Sequence, residues 1–196
     1  MKMSYAKDYI KRYLNRLEEV DLSVLDSIIK VLFGAWKNGN SVFIIGNGGS
    51  ASTASHMACD LSKGVIKDVQ KPAKRMRVLS LTDNVAHMTA LGNDLSYDEI
   101  FSEQLSHFAK PGDVLIAISA SGNSPNIIKA VEKANSTGMA SIGLLGFDGG
   151  KIKDMVDHPL IYPEKDYGRA EDFHLMVNHI MTERLRELII NENDNY

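Results

Sequence analysis

Cysteine is nearly absent from this chain of 196 residues, since Cys59 is the only one. A single cysteine cannot form an intramolecular disulfide, which suits a protein of the reducing cytoplasm. No apolar run approaches the ~18 residues that a membrane-spanning helix needs. The formal net charge of −3 leaves no basic surplus for binding nucleic acid electrostatically. We therefore expect a cytoplasmic protein that binds neither membranes nor nucleic acids.

The composition is otherwise that of an ordinary globular chain, with 44% hydrophobic and 24% charged residues. A chain of this length can bury most of its apolar surface in one core, so we expect one domain over residues 1–196. Its first 40 residues form two predicted helices, Tyr5–Val20 and Leu22–Lys37, with Asp21 as N-cap of the second and Gly39 at its end. The amphipathic first helix predicts contacts between subunits of a closed homo-oligomer.

Helices and short apolar strands alternate along the rest of the chain. The predicted strands are Val42–Ile45, Arg77–Leu81, Val114–Ile118, Ser141–Leu145 and Pro159–Tyr162. The predicted helices are Ala51–Ser62, Val85–Leu91, Tyr97–Phe108, Pro125–Ser136 and Arg169–Ile190. Near-continuous apolar strands separated by helices indicate an α/β protein with a parallel sheet covered on both faces.

A glycine-rich turn, Gly46-Asn47-Gly48-Gly49-Ser50, joins the first predicted strand to a helix of small residues. Glycines let the backbone approach a ligand, and the unpaired N–H groups and dipole of a helix N-terminus favour negative charge. A second strand-to-helix turn, Ser119-Ala120-Ser121-Gly122-Asn123-Ser124, adds three serine hydroxyls. Both turns follow the carboxyl ends of strands, where ligands of open parallel sheets bind. Together they predict one crevice for a phosphorylated ligand.

Three kinds of ligand fit such turns to different degrees. A dinucleotide is one alternative, because Gly46-x-Gly48-x-x-Ala51 satisfies the relaxed fingerprint, but the acidic residue after the second strand, Asp83, comes later than the motif requires. A nucleoside-triphosphate P-loop is excluded, since no Gly-Lys-[Ser/Thr] occurs. A sugar phosphate uses both turns, because hydroxyls and amides hold phosphate without lysine or arginine. We expect no nucleotide cofactor.

The combination of motifs resembles the sugar isomerase (SIS) domain family. Gly-Asn-Gly-Gly-Ser occurs together with Ile-Ser-x-Ser-Gly-Asn-Ser-x-Asn, and Leu91-Gly92-Asn93-Asp94, Gly149-Gly150 and a final helix with Glu171, His174 and His179 also match. Within the family the chain is most similar to phosphoheptose isomerases, which interconvert sedoheptulose 7-phosphate and a mannoheptose 7-phosphate. The resemblance implies a three-layer α/β/α sandwich with a five-stranded parallel sheet, and a homotetramer with active sites at subunit contacts.

The resemblance also implies a set of site residues. Asp60 matches the family's catalytic carboxylate and His179 its catalytic histidine. Several relatives bind zinc, and the positions that match their ligands are His56, Asp60, Glu171 and His179. The implied substrate-binding residues are Asn47, Gly48, Gly49, Ser50, Asp94, Ser119, Ala120, Ser121, Ser124 and Glu171.

Three positions depart from the family's pattern. Asp60 replaces a glutamate, Glu171 replaces a glutamine and Gly168 replaces an aspartate. The shorter side chain withdraws the carboxylate by ~1 Å, a displacement that is costly for a reacting group. The added charge of Glu171 is expected to strengthen the attraction for a divalent cation.

The chemistry of aldose–ketose isomerisation requires a base beside C1 and C2 and an acid/base group or metal beside the two oxygens. Asp60 and His179 are the available pair. A simpler interpretation also stands, in which His56 and Asp60 are an ordinary i, i+4 surface pair. Glu171 and His179 lie eight residues apart, ~12 Å along a helix, so one ion binds both only if their side chains converge or different subunits contribute. In a metal-free pocket, Glu171 would instead bond a sugar hydroxyl.

A rival function belongs to another class. Some SIS proteins of this shape are tetrameric scaffolds that bind a replication initiator, and others are sugar-phosphate sensors. They keep the glycine and serine turns but lose the carboxylate–histidine pair. The presence of Asp60 and His179 favours an enzyme.

Overall fold

Five parallel strands form the central sheet of the computed structural model, which describes residues 4–70 and 73–194. They are β1 (Ser41–Gly46), β2 (Arg77–Ser80), β3 (Val114–Ser119), β4 (Ala140–Gly146) and β5 (His158–Tyr162). Their order in the sheet is β2-β1-β3-β4-β5. Every neighbouring pair is parallel, which confirms the predicted parallel sheet.

Seven α-helices flank the strands along the described chain. They are α1 (Tyr5–Leu17), α2 (Ser23–Asn38), α3 (Gly49–Cys59), α4 (Val85–Asp94), α5 (Ser102–Phe108), α6 (Pro125–Thr137) and α7 (Tyr167–Asp194). A π-helical turn, Asp60–Gly64, continues α3. No helix of the described residues combines the length and apolar character that crossing a membrane requires.

Two details of the predicted helices differ from the structure. The N-cap of α2 is Leu22 rather than Asp21, and the Asp21 carboxylate accepts hydrogen bonds from the Ser23 backbone N–H and hydroxyl at 3.0 and 2.6 Å. The segment predicted as one helix over 97–108 is a 3₁₀ turn, Tyr97–Glu99, followed by α5. Ile100 and Phe101 between them are fully buried, so the chain turns inward at this point.

The sheet separates two hydrophobic clusters, and this gives the predicted three-layer α/β/α sandwich. Ile44 and Ile116 face the cluster that α2, α3 and α7 complete. Phe43 and Leu115 face the other cluster, which α5 and α6 complete. Because successive side chains of a strand point to opposite faces, near-continuous apolar strands are needed to fill both layers.

The crevice lies where the chain changes direction across the sheet. β1 and β3 are neighbours, and Gly46 at the end of β1 pairs with Ile118 near the end of β3. The chain moves outward from β1 to β2 and then returns to β3 on the other side, which makes this the switch point of an open α/β sheet. Both predicted anion-binding turns therefore leave adjacent strand ends.

Candidate active site

The first turn is shaped by glycine. Gly48 has φ = +57°, a conformation that side chains with a Cβ rarely adopt. α3 begins at the next residue, and no side chain caps its N-terminus. The positive end of its dipole therefore favours an anion at this point.

The second turn presents hydroxyls with defined hydrogen-bond roles. Ser119 Oγ accepts from the Gly122 N–H at 3.2 Å, and Ser121 Oγ accepts from the Asn123 N–H at 3.3 Å. Ser124 is the N-cap of α6, yet its side chain makes no capping bond. Since a hydroxyl that accepts one bond still carries its own hydrogen, these serines can donate to a phosphate oxygen.

Most of the predicted substrate-binding side chains line one cavity of about 120 Å³. Its walls are Asn47, Ser50, Ile118, Ser119, Ala120, Ser121, Ser124, Tyr167 and Glu171. Gly48 and Gly49 lie in the turn that precedes Ser50. Asp94 is exposed at the end of α4, where it accepts a hydrogen bond from Asn93 at 2.9 Å, and it is not part of the cavity wall.

Asn47 is held by two side chains, Asn126 and Tyr97, that were not among the predicted site residues. Its side-chain amide exchanges two hydrogen bonds of 2.9 Å with the amide of Asn126, which is buried. The Tyr97 hydroxyl donates a third bond of 3.1 Å to Asn47 Oδ1. Asn126 closes the motif Ile-Ser-x-Ser-Gly-Asn-Ser-x-Asn, so the signal for it was present in the sequence.

Glu171 on α7 reaches across to the first turn. Its carboxylate occupies the space that a Cβ atom at position 49 would take. Position 49 therefore accepts no side chain while Glu171 keeps this position. The carboxylate lies at the cavity that the serines line, so it adds negative charge to a site otherwise built for an anion.

The predicted acid/base pair lies at the other end of the contact between α3 and α7. His56 Nε2 is 3.1 Å from Asp60 Oδ2, and His179 Nε2 is 3.9 Å from the same oxygen. The three ligand atoms lie within 4.8 Å of one another, and no other group of three or more potential ligands was found among the described residues. Glu171 is not in this group. Within one chain the structure thus brings together three of the four predicted metal ligands.

Two fully buried polar residues on α7 were not among the predicted site residues, and one of them contacts this cluster. Asn178, which is fully buried, donates a hydrogen bond of 2.7 Å from Nδ2 to Asp60 Oδ2. His174 is also fully buried, and neither of its ring nitrogens has a hydrogen-bond partner of good geometry. Burial lowers the pKa of His174 to about 4, and the Leu145 backbone opposes that shift only in part. His174 is therefore neutral at physiological pH.

The two ends of the site lie at opposite ends of the contact between α3 and α7. Glu171 meets Gly49 at one end, and His179 meets His56 and Asp60 at the other. Eight residues separate Glu171 from His179, a rise of ~12 Å. An elongated ligand lying along α3 would therefore meet hydroxyl and amide groups of the protein at one end. At the other end it would meet a carboxylate and two imidazoles.

The donor set fits zinc. Two imidazole nitrogens and one carboxylate oxygen, with an open fourth position, are the ligands of many catalytic zinc sites. Around a tetrahedral ion with bonds of about 2.1 Å, donor atoms lie roughly 3.4 Å apart. The separations of the two imidazole nitrogens from Asp60 Oδ2, 3.1 and 3.9 Å, bracket that value.

Comparisons with known proteins agree with the geometry. A model of the SIS domain matches residues 5–146. The phosphoheptose isomerase of Clostridium acetobutylicum is 39% identical over 168 residues, which are 86% of this chain and 84% of that protein.

Two solved structures are similar over almost the whole chain. The phosphoheptose isomerase from Neisseria gonorrhoeae has a TM-score of 0.83 and 28% identity, with 93% of this chain and 97% of that chain covered. The corresponding enzyme from Francisella tularensis has a TM-score of 0.85 and 26% identity, with 93% and 96% covered. From its sequence and its fold alike, the chain belongs to the phosphoheptose isomerases of the SIS domain family.

Proposed function

We propose that this protein is a phosphosugar isomerase that interconverts sedoheptulose 7-phosphate and D-glycero-D-manno-heptose 7-phosphate. The observation that carries the proposal is the approach of Asp60 and His179 to each other at one end of the α3–α7 contact, with a serine-lined cavity at the other end, in a chain similar to phosphoheptose isomerases. A scaffold or a sensor would need the cavity but not the carboxylate with its two imidazoles.

The sugar phosphate would lie along α3 with its phosphate on the two turns. Ser50, Ser119, Ser121 and Ser124 would donate to the phosphate oxygens, and Gly48, Gly49 and Ala120 would let the backbone approach. Asn47 would bond the sugar chain, and Asp94, at the end of α4 and outside the cavity wall, is the second predicted contact to the sugar chain. His56 comes six residues after Ser50, about 9 Å along the helix, so the reacting carbons would lie near the cluster.

The reaction would proceed through an enediol. Asp60 removes the proton from C1 of the ketose and returns it to C2, so that the carbonyl moves from C2 to C1. In the metal-free site His179 moves a proton between the two oxygens, because the oxygen at C2 gains one as the oxygen at C1 loses one. With zinc held by its Nε2, His179 would act as a ligand instead of carrying this proton. Both groups return to their starting states at the end of one turnover.

Zinc is the proposed cofactor, held by His56, Asp60 and His179. When bound, it would polarise the carbonyl and stabilise negative charge on the oxygens of the enediol. Glu171 completes the four predicted ligands only if it comes from a neighbouring subunit or leaves Gly49. Otherwise the fourth position is open to substrate.

The assembly we propose is a homotetramer in the cytoplasm, built from single SIS domains of residues 1–196. Residues 1–40 would contribute to the subunit contacts. On one side, α1 is anchored to α7 by the Tyr9 hydroxyl, which donates to Asp172 at 2.6 Å. On the other, Ile10 and Leu14 are 56% and 53% exposed, and a second subunit would cover them.

A panel of ketose and aldose phosphates, followed by NMR, tests the activity. We expect conversion of sedoheptulose 7-phosphate and little conversion of five- and six-carbon sugar phosphates. Asp60→Asn and His179→Gln are each expected to abolish turnover, whereas Asp83→Asn, which alters a carboxylate of the neighbouring loop, serves as control. Binding of the sugars without conversion of any would instead favour a sensor or scaffold.

A further inference from the structure

We infer that Asn178 is a positioning residue, which fixes the Asp60 carboxylate for proton transfer and metal binding. This inference rests on the proposed function, because it assigns a task to Asp60. It concerns a residue that carries no motif of its own and is fully buried one position before His179.

The hydrogen bond joins two elements that are distant in sequence. Asn178 Nδ2 donates to Asp60 Oδ2 at 2.7 Å, and α7 packs against the π-helical turn that begins at Asp60. A carboxylate oxygen only accepts, so the amide must present its nitrogen to Asp60. π-helical turns inside helices occur often at functional sites. Here the turn begins at the residue whose side chain Asn178 holds.

Three groups meet at the same oxygen of Asp60. His56 Nε2 and His179 Nε2 approach Oδ2 at 3.1 and 3.9 Å, and Asn178 is the third. Across the described part of the chain, no hydrogen bond reaches Oδ1. Asn178 therefore fixes the rotation of the carboxylate about its Cβ–Cγ bond and leaves the second oxygen for a substrate proton. An aspartate needs this support, because its short side chain has little freedom to correct a misplaced carboxylate.

The carbonyl oxygen of the Asn178 side chain indicates that this residue does not serve to stabilise the fold. Asn178 Oδ1 is buried without a hydrogen-bond partner. An unpaired buried acceptor destabilises a fold, whereas an apolar side chain of the same shape avoids that cost. Asp60 itself is partly exposed, so water can replace the lost bond. A leucine at position 178 is therefore expected to fold at least as well as asparagine.

Thr182 provides a matched control. It lies one turn further along the same face of α7, and its Oγ1 is likewise buried without a partner among the described residues. It makes no hydrogen bond to Asp60. Thr182→Val removes a buried polar atom of similar environment without touching the carboxylate.

The experiment compares the whole wild-type protein with Asn178→Leu, Asn178→Ala and Thr182→Val. For each we would measure kcat and KM with sedoheptulose 7-phosphate, the zinc dissociation constant by calorimetry, and the thermal midpoint. Loss of a group that orients a ligand or catalytic residue lowers affinity or activity by about 10- to 100-fold. We expect that loss in kcat and in zinc affinity for both Asn178 variants, with KM within about twofold. Asn178→Ala, which removes the amide without adding bulk or charge, covers the case in which leucine fails to fold.

The outcomes separate this inference from the proposed function. A thermal midpoint of Asn178→Leu at or above that of the wild type, together with a lower kcat, supports positioning. The positioning role is overturned if both Asn178 variants keep wild-type activity. It is also overturned if they lose no more activity than Thr182→Val does. An inactive wild-type protein overturns the proposed function alone if zinc affinity still falls in the Asn178 variants. A wild-type protein that neither converts the sugar nor binds zinc overturns both.

Discussion

Glu171 lies with its carboxylate over Gly49, at the opposite end of the α3–α7 contact from Asp60 and His179. The carboxylate thereby lines the cavity in which the phosphate is proposed to bind. It sits at the N-terminus of an uncapped helix, where negative charge is favoured. A bound phosphate and Glu171 would compete for that position.

Glu171→Gln tests which end of the site this residue serves. Removing its charge is expected to tighten binding of inorganic phosphate about fivefold, because two unit charges ~4 Å apart in water repel by on the order of 1 kcal/mol. Zinc affinity is expected to stay within about twofold. Calorimetric titrations with phosphate and with zinc measure both. A marked loss of zinc affinity would instead identify Glu171 as a ligand supplied by a neighbouring subunit.

The serine turn is tested by Ser121→Ala and Ser124→Ala. Each is expected to weaken binding of the sugar phosphate by roughly 1.5–3 kcal/mol, the contribution of a hydrogen bond to a charged group. The thermal midpoint is expected to change little, since Ser124 makes no capping bond. Ser136→Ala, at the exposed far end of α6, is the control. Affinities equal to that of the wild type in both cavity variants would remove the serines from the phosphate site.

The metal proposal predicts about one zinc ion per chain in protein purified without a metal-affinity tag. Chelation is expected to lower isomerase activity at least tenfold, and added zinc to restore it. His56→Ala is expected to lose the ion, while His87→Ala, on α4 and outside the cluster, keeps it. Elemental analysis gives the metal content of each variant. Substoichiometric metal with chelator-resistant activity would leave Asp60 and His179 as a metal-free acid/base pair.

His174 predicts a specific loss of stability in acid. Its pKa is about 4 in the folded protein because the ring is buried, against ~6.5 in an unfolded chain. Between these pH values His174 is protonated in the unfolded state but not in the folded state. The free energy of unfolding therefore falls as pH falls from about 6.5 to 4. At 1.36 kcal/mol per pKa unit, the difference amounts to about 3 kcal/mol.

Urea unfolding of the chelated protein at fixed concentration measures this effect. The stability of His174→Leu is expected to fall less between pH 7 and pH 4 than that of the wild type, by about that amount. The comparison removes the contribution of carboxylates that both proteins share. If the free energies of unfolding of the two proteins change with pH in parallel, His174 is protonated in the folded state at pH 4 as it is in the unfolded state.

Oligomerisation is tested at the exposed face of α1. Ile10→Glu and Leu14→Glu place charges on apolar side chains that are more than half exposed in a single chain, and both are expected to dissociate the oligomer. Lys11→Glu, an exposed residue of the same helix, is the control. Light scattering at micromolar concentration measures the mass of the oligomer in each variant. A monomeric wild-type protein, or intact assembly of both variants, would exclude α1 from the interface.

The features that the sequence predicted correctly are those with local causes. Apolar runs mark the five strands, and Pro125 after Ser124 marks the start of α6. The order of strands and the placement of α7 against α3 depend on tertiary packing, which no local pattern of residues encodes. For that reason the contact of Glu171 with Gly49 was not foreseen. Asn178 was missed because a lone asparagine on a long helix carries no motif, and only its bond to Asp60 reveals it.

The proposed function depends above all on the transfer of a proton between C1 and C2, which exchange with solvent in D₂O makes visible. Wild-type protein would be incubated with sedoheptulose 7-phosphate and the product examined by proton NMR. We predict an aldose product with deuterium at C2, because the proton that Asp60 carries exchanges with solvent before it is returned. No aldose product, or an aldose without any deuterium at C2, would contradict proton transfer through Asp60.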